Sequence, residues 1–462
     1  MTEACVLAIR RSTLAHLRAP SRQSHFLGSS PLNRFSFLRT SPAFLAAAAR
    51  HTDARWVLFT SGGKPLVRTS HAERTTRLAT LSTDAVRALL GPEPLFGQGQ
   101  QPGEAFVIPS GEKMPALESA RLRGPRIIFL GVLDATSDDT LPTTDNGWAI
   151  VGAPYFSLDV QDIDESELEA ITKEQATPNE ELEFVEPFGT MGDFTPFDAA
   201  VFAEARSMLD WNSQRKFCPA CGSPVYSLWA GWKLGCSSLL PWADNGGKPP
   251  CPSGKGLHNY THPRTDIAVI TAIISEQGDK ILLGRNKRFP MPMYSTLAGF
   301  IEPAESFEDA VKREIYEESG VKVWNVRYHS GQPWPFPANL MVGCYATADV
   351  NAPIRTDLDD ELADAKWFTR EEVLAVLSHP KGTIIRKREY KKLNEQQFGA
   401  EEKVTVGHAL APESDGTVKK EERREPRQED ADAPPFRIPP VTAIAGVLIS
   451  NWAKGVEGSA KL

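Results

Sequence analysis

Apolar residues recur along the chain at two periods. Runs such as Trp56–Thr60, Ala105–Ile108, Arg126–Leu130 and Trp148–Val151 are short and rich in β-branched and aromatic residues, and they read as strands. Met341–Ala348 is another strand of this kind. Elsewhere the spacing is helical. Between Ser306 and Ser319, the residues Phe307, Ala310, Val311 and Ile315 stand at i, i+3, i+4 and i+8 and form one buried face. A second helix is expected near Pro196 to Ser213, and a closing apolar helix over Pro439 to Trp452. The mixture predicts an α+β protein. From Gln396 to Ala433 the periodicity stops. That segment, with KKEERREPRQEDADAPP, is charged and poor in aromatics, cannot bury enough surface to order itself, and reads as a disordered insertion. No run of eighteen apolar residues occurs, so no transmembrane helix is expected.

At 462 residues the chain has room for two or three domains. A net charge of −8 argues against a generic nucleic-acid binder. Met1 to Gln23 departs from that balance: Arg10, Arg11, Arg18 and Arg22 face a single acid, Glu3. It reads as a mitochondrial presequence or a disordered tail.

The candidate chemistry sits on the 306–319 helix. Ser306 is its expected N-cap, with Asp309 three residues on, and Gly320 suits the position after its end. Glu314, Glu317 and Glu318 fall on one stripe beside the apolar face. Carboxylates so placed repel one another in water, and a hard divalent cation turns that repulsion into coordination. Glu305 lies just before the helix and can reach the same metals. Arg313 can pair with a neighbouring carboxylate, and Gly299 is expected to let the backbone turn into the loop. A solvated acidic face is the plainer reading of three glutamates taken alone.

The whole stretch Gly299–Val321, GFIEPAESFEDAVKREIYEESGV, resembles the signature of the Nudix hydrolases, G-x5-E-x7-R-E-U-x-E-E-x-G-U with U bulky and apolar. Gly299, Glu305, Arg313, Glu314, Ile315, Glu317, Glu318, Gly320 and Val321 meet every fixed position. The resemblance implies an α/β/α sandwich and Mg²⁺- or Mn²⁺-dependent hydrolysis of a diphosphate linked to another moiety.

Cysteine usage narrows the family. Cys218-Pro-Ala-Cys221-Gly is a knuckle whose glycine permits a tight turn around a metal, and Cys236 and Cys251 follow at equal intervals. The set resembles a four-thiolate zinc ribbon carrying an inserted Pro/Gly-rich loop, Ser237–Pro250. A redox dithiol or a disulfide pair are the other readings of Cys218 and Cys221. His258 and His262 are alternatives to Cys251 as the fourth ligand. Cys344 is expected in the core, and Cys5 is expected as a terminal thiol.

Ser330–Met341, SGQPWPFPANLM, closely resembles the SQPWPFPxS motif of the NADH pyrophosphatases within the Nudix hydrolases. Gly331 and Asn339 replace its two serines. Alternating prolines predict a stiff extended loop. Thr261–Ile270 looks like the entry strand of that subfamily, with His262 and Ile267 replacing its Tyr and Pro. Further on, Glu361, followed by Ala365-Lys-Trp367-Phe368, resembles the segment in which the subfamily carries another metal-binding or catalytic glutamate.

The resemblance implies this organisation: a targeting or disordered start (1–24), a degenerate N-terminal NADH pyrophosphatase-like domain that supports dimerisation (25–213), a zinc ribbon (214–263), a Nudix domain (264–395 with 436–453) interrupted by the insertion (396–435), and a tail (454–462). It implies one structural Zn²⁺ and about two to three catalytic Mg²⁺ or Mn²⁺ ions held by Glu314, Glu317, Glu318 and Glu361. Glu317, Glu318 and Glu361 remain candidates for the general base. Phe300, Gln332 and Ala445 are the expected substrate contacts, and a homodimer is the expected assembly. The implied reaction is hydrolysis of NADH, and less well NAD⁺, to the nicotinamide mononucleotide and AMP. Removal of NAD caps from RNA breaks the same bond. A broader ADP-ribose or dinucleotide hydrolase, a non-catalytic nucleotide sensor and a zinc-ribbon nucleic-acid adaptor are the rivals. The terminal Ala460-Lys461-Leu462 is a variant of the small-basic-Leu address read by the peroxisomal import receptor. The expected location is the peroxisome, ahead of mitochondrion or cytosol.

Overall fold

The computed structural model describes residues 26–28, 30–99, 117–134, 140–141, 150–247, 249–255, 258–287, 289, 292–359, 361–384, 389 and 434–456. The Arg-rich start with Cys5, the 105–108 run, the 396–433 insertion and the terminal tripeptide lie outside the described residues. The chain divides into two compact units, Met1–Ile267 with Ser330–Met341 and Ala268–His329 with Val342–Leu462.

The first unit is built on a sheet of β1 (Leu32–Asn33), β2 (Arg55–Thr60), β3 (Lys64–Ser70), β4 (Thr75–Leu78), β5 (Ile127–Asp134), β6 (Thr140–Leu141), β7 (Ile150–Asp159) and β8 (Glu180–Phe184). Its order is β1-β5-β7-β2-β3-β4, with β6 on β7 and β8 on β3. β2 runs parallel to β7 and sets Trp56 opposite Phe156, whose rings stack at 4.7 Å. The buried indole N–H of Trp56 donates to Thr83 Oγ1 at 2.9 Å, so this large ring adds apolar area without an unpaired donor. Of the expected strand at Trp148–Val151, residues 150–151 are described; β7 starts there and continues past Gly152 and Pro154 to Asp159. Gly152 has φ +145°, and a Cβ there would overlap the Leu133 carbonyl, so the glycine admits close pairing with β5 and does not end the strand.

Among the described residues, the longer helices of this unit are α1 (Pro42–Arg50), α2 (Glu165–Gln175) and α3 (Pro196–Gln214). α3 forms where a helix is expected near Pro196 to Ser213; Thr195 caps it and Pro196 opens it. α3 leads into a hairpin of β9 (Val225–Leu228) and β10 (Lys233–Cys236).

In the second unit the sheet order is β14-β15-β11-β12-β16, with β13 on β11. The strands are β11 (Asp266–Ser275), β12 (Lys280–Asn286), β13 (Leu297–Phe300), β14 (Val323–Trp334), β15 (Asn339–Ala348) and β16 (Leu362–Thr369). Residues 266–267, 330–334 and 339–341 of these strands belong to the first unit. α4 (Phe307–Ser319) packs on β13 and β16, and α5 (Arg370–Ser378) packs on β16 and α6 (Ile444–Ala453). Trp452 of α6 is fully buried and donates to Gly278 O at 3.2 Å. α6 starts four residues after Pro440, later than expected.

Ser330–Met341 is a hairpin tip and not the expected loop. β14 runs through Gln332 and Pro333 to Trp334, and the chain turns at residues 335–338. The Asn339 amide closes the turn on Phe336 O at 3.2 Å. Phe188 meets Trp334 and Phe336 edge-on, at ring separations of 6.0 and 5.0 Å. The Arg206 guanidinium lies 4.5 Å from the Phe336 ring centre and donates to Pro335 O.

Candidate active site

The site is assembled around α4. Ser306 Oγ accepts from the Asp309 N–H at 3.2 Å, and the Asp309 carboxylate accepts from the Ser306 N–H at 3.3 Å, so both ends of a capping box are present. Gly320, at φ +70°, ends the helix and donates to Tyr316 O at 2.7 Å. Ala310, Val311 and Ile315 are buried as expected, while Phe307 in the first turn is 40% exposed. These anchors fix the rotation of the helix and hence the stripe of glutamates.

Arg313 is the hub of the outer half of that stripe. Its Nε and one terminal nitrogen grip Glu305 at 2.6 and 2.9 Å, and its other terminal nitrogen donates to Glu314 at 2.8 Å and Glu317 at 2.9 Å. It also donates to Phe300 O at 2.8 Å. One guanidinium thus ties loop, helix and strand together through charge-assisted bonds. The grip on Glu305, with a backbone N–H from Glu302, holds that carboxyl down at about 2.

Gly299 acts differently from the expectation. It lies inside β13, paired with Val269, and turns nothing. A Cβ at this position would overlap the Glu314 carboxylate, so the glycine is required by the close approach of that side chain.

The inner half of the stripe is Glu318. It is 4% exposed and accepts one backbone bond, from Ala298 N–H at 3.2 Å. It forms no ion pair among the described residues. Burial first, then the charges of Glu361, Glu314 and Asp359, push its carboxyl up to about 9. Glu314 is also raised, by burial and by Glu317 and Glu305, against the pull of Arg313. Glu361 stands just before β16, with Asn286 Nδ2 on its Oε1 at 2.8 Å. Asn286 is a site residue that the sequence reading missed. Nothing in the run KILLGRN marks it beyond its place at a strand end.

A buried carboxyl surrounded by carboxylates and lacking a counter-charge fits a hard divalent cation, which favours the ionised form of every group there. The structure therefore brings Gly299, Phe300, Glu305, Arg313, Glu314, Glu317, Glu318 and Glu361 into one linked set. Phe300 is 55% exposed. Ala445 is buried on α6. Gln332 is 1% exposed, and its amide donates to Phe26 O at 2.7 Å within the first unit. That bond engages the amide expected to touch substrate.

The cysteines converge in the first unit. The knuckle turns through Gly222 N–H to Cys218 O at 2.8 Å. The β9–β10 register sets Cys236 opposite Val225, beside the knuckle. Cys221 and Cys236 Sγ lie 3.3 Å apart, Cys218 and Cys251 Sγ 3.6 Å, and all four fall within 4.8 Å of one another as free thiols. This group can hold a metal ion. Bonds from Ser223 lower the Cys221 thiol, whereas burial raises Cys236. His262 is outside the group: its Nδ1 lies 3.0 Å from Thr261 Oγ1, and its ring meets Trp229 edge-on.

Residues 264–393 match the Nudix domain, and residues 53–211 match the NADH pyrophosphatase-like rudimentary Nudix domain. The class is a Nudix hydrolase. An NAD-capped RNA hydrolase of Schizosaccharomyces pombe is 37% identical over 362 residues, covering 78% of this chain and 88% of the relative. The NAD-capped RNA hydrolase NPY1 of Saccharomyces cerevisiae is 30% identical over 361 residues, covering 76% and 86%. The human NAD-capped RNA hydrolase NUDT12 is 50% identical over 184 residues, which is 40% of this chain and 37% of the human protein. The chain belongs to the NADH pyrophosphatase-like branch of the Nudix hydrolases.

Proposed function

We propose that the protein hydrolyses the diphosphate of NADH, and less well of NAD⁺, to the nicotinamide mononucleotide and AMP. The observation that carries this reading is Glu318, a buried carboxyl beside Glu314 and Glu361 with no counter-ion among the described residues. Glu314, Glu317, Glu318 and Glu361 would hold Mg²⁺ or Mn²⁺, which would offset the charge of the diphosphate and lower the pKa of the attacking water. Arg313 keeps the outer carboxylates in register and takes no part in the chemistry. Phe300, exposed on β13, offers a ring face to a base or to the nicotinamide. The QPWPFP motif supports NADH over ADP-ribose or a dinucleotide polyphosphate. The names of the relatives favour a second reading, removal of NAD caps from RNA, which breaks the same bond in a larger substrate.

Product analysis with NADH, NADPH, NAD⁺, ADP-ribose and NAD-capped RNA, with and without Mn²⁺, tests both readings. NMNH and AMP from NADH are expected. If ADP-ribose is cut fastest, NADH specificity fails; if no substrate is cut with either metal, the enzyme reading fails.

The four cysteines support one structural Zn²⁺, because four thiolates leave no open position for water. The rudimentary domain supports a homodimer, testable by light scattering. Ala460-Lys461-Leu462 supports peroxisomal import. Deleting it should move an N-terminally tagged protein from puncta to the cytosol without changing activity in extract. An internally tagged protein that stays in mitochondria would refute that location.

A further inference from the structure

We propose that Asn286 is a positioning residue for Glu361, holding that carboxylate ready for a divalent cation; the inference rests on the metal-binding reading of Glu361 given above. Asn286 closes β12 at a register shift between Arg285 and Asn286, where β12 pairs with β16. Such irregularities re-aim side chains beside functional sites. The shift sets Asn286 opposite Leu362 and brings its side chain to the residue before. Asn286 Nδ2 donates to Glu361 Oε1 at 2.8 Å, and the next residue, Lys287, donates its N–H to Glu361 O at 3.2 Å. The N–H of Glu361 itself donates to Asp359 Oδ1 at 3.0 Å. Both sides of the Glu361 backbone are thereby pinned, and the amide fixes the remaining freedom, that of the side chain.

The chemistry of the donor matters. Glu361 is exposed and close enough to Glu318 to act on its carboxyl electrostatically, so repulsion would swing it into solvent. A lysine or arginine could hold it, but would also neutralise the charge that a cation needs. An amide N–H holds one oxygen, adds no charge and leaves the other oxygen free to bind metal. Outer-shell donors to metal-binding carboxylates act in this way, and their loss typically costs about tenfold to a hundredfold in metal affinity or activity.

The test is Mn²⁺ binding to the full chain without substrate, read from the electron paramagnetic resonance of free Mn²⁺, for Asn286→Ala, Asn286→Leu, Glu361→Gln and the double variant Glu361→Gln/Asn286→Ala. Leucine keeps the volume of Asn286 and removes the donor, so it controls for packing. Both single substitutions at 286 should weaken Mn²⁺ binding about tenfold or more and raise the metal concentration needed for half-maximal turnover, with KM for NADH within about twofold of wild type. The double variant should be no worse than Glu361→Gln. If Glu361→Gln binds Mn²⁺ and turns over like wild type, the reading of Glu361 falls. If Glu361→Gln is impaired while both 286 variants bind Mn²⁺ normally, or if the losses add in the double variant, the positioning role alone is overturned.

Discussion

Among the described residues, α2 and α4 are both rich in acid, and the candidate site lies on α4. α2 carries Glu165, Glu167, Glu169 and Glu174 and buries none of its residues. Its charges are handled one at a time, as where Lys173 meets Glu169 at 3.0 Å across one turn in full solvent. α4 carries a similar number of acids, but one arginine gathers Glu305, Glu314 and Glu317, and Glu318 is driven into the interior with acids around it. Surface pairs of the first kind are worth little, because water screens them. A carboxyl of the second kind is costly to ionise until something positive arrives. Acid content alone is therefore uninformative, and burial without a counter-charge separates the two helices. Glu204 on α3 is an intermediate case: it is buried like Glu318, yet it faces Arg34 at 3.2 Å and lies near Arg39.

The largest expected effect separates the helices outright. Glu318→Gln should lower turnover at least about a hundredfold at saturating Mg²⁺, with no loss in melting temperature, because a neutral amide relieves the repulsion. Glu169→Gln on α2 should change neither. Turnover of Glu318→Gln within a few-fold of wild type would erase the distinction.

Cys218→Ser comes next, because it removes a buried thiol from the four-cysteine group. Bound zinc, measured by metal analysis, should be lost, and the melting temperature should fall by about 10 °C. Carefully purified wild type without zinc would end that reading.

Arg313→Met should cost about 2 kcal/mol in denaturant unfolding, since hydrogen bonds to partly buried carboxylates are lost together. Turnover should fall as well. An unchanged unfolding midpoint would mean that water replaces the hub without loss.

A further expected effect is a pH dependence. Burial raises the Glu204 carboxyl from 4.5 to about 7, against the pull of Arg34 and Arg39. The folded state then holds that proton more tightly than the unfolded chain. The stability it contributes is present below about pH 4.5 and is lost as pH rises through about 7. The melting temperature of wild type relative to Glu204→Gln should therefore drop across that window. A constant difference would mean that Glu204 is ionised throughout, its burial offset by the two arginines.

Much of this was legible in the sequence because local signals agreed. The capping box, the apolar spacing and Gly320 all pointed to one helix, and the structure has it within a residue. The knuckle and its equal cysteine intervals pointed to four cysteines that the structure brings within 4.8 Å of one another. The failures have a common cause. Gly299 does not make the expected turn: a glycine looks alike in sequence whether it frees φ or makes room, and only the position of Glu314 distinguishes the two. Asn286 and Arg206 act through residues 75 and 129 positions away, a distance no periodicity spans. Phe188 was equally silent, since nothing marks it as the cover of Trp334 and Phe336.

That last packing bears on how such a protein can be divided and recombined. Residues 330–341 lie inside the stretch matched by the Nudix domain, yet they pack with the first unit, against Phe188, Arg206 and Phe26. A gene fragment cut at residue 264 would encode an unbroken Nudix motif and an aromatic hairpin tip stripped of its cover. The boundary drawn along the sequence at residue 264 is thus not the boundary of the compact units, and a fragment that starts there parts residues 330–341 from the side chains they pack against.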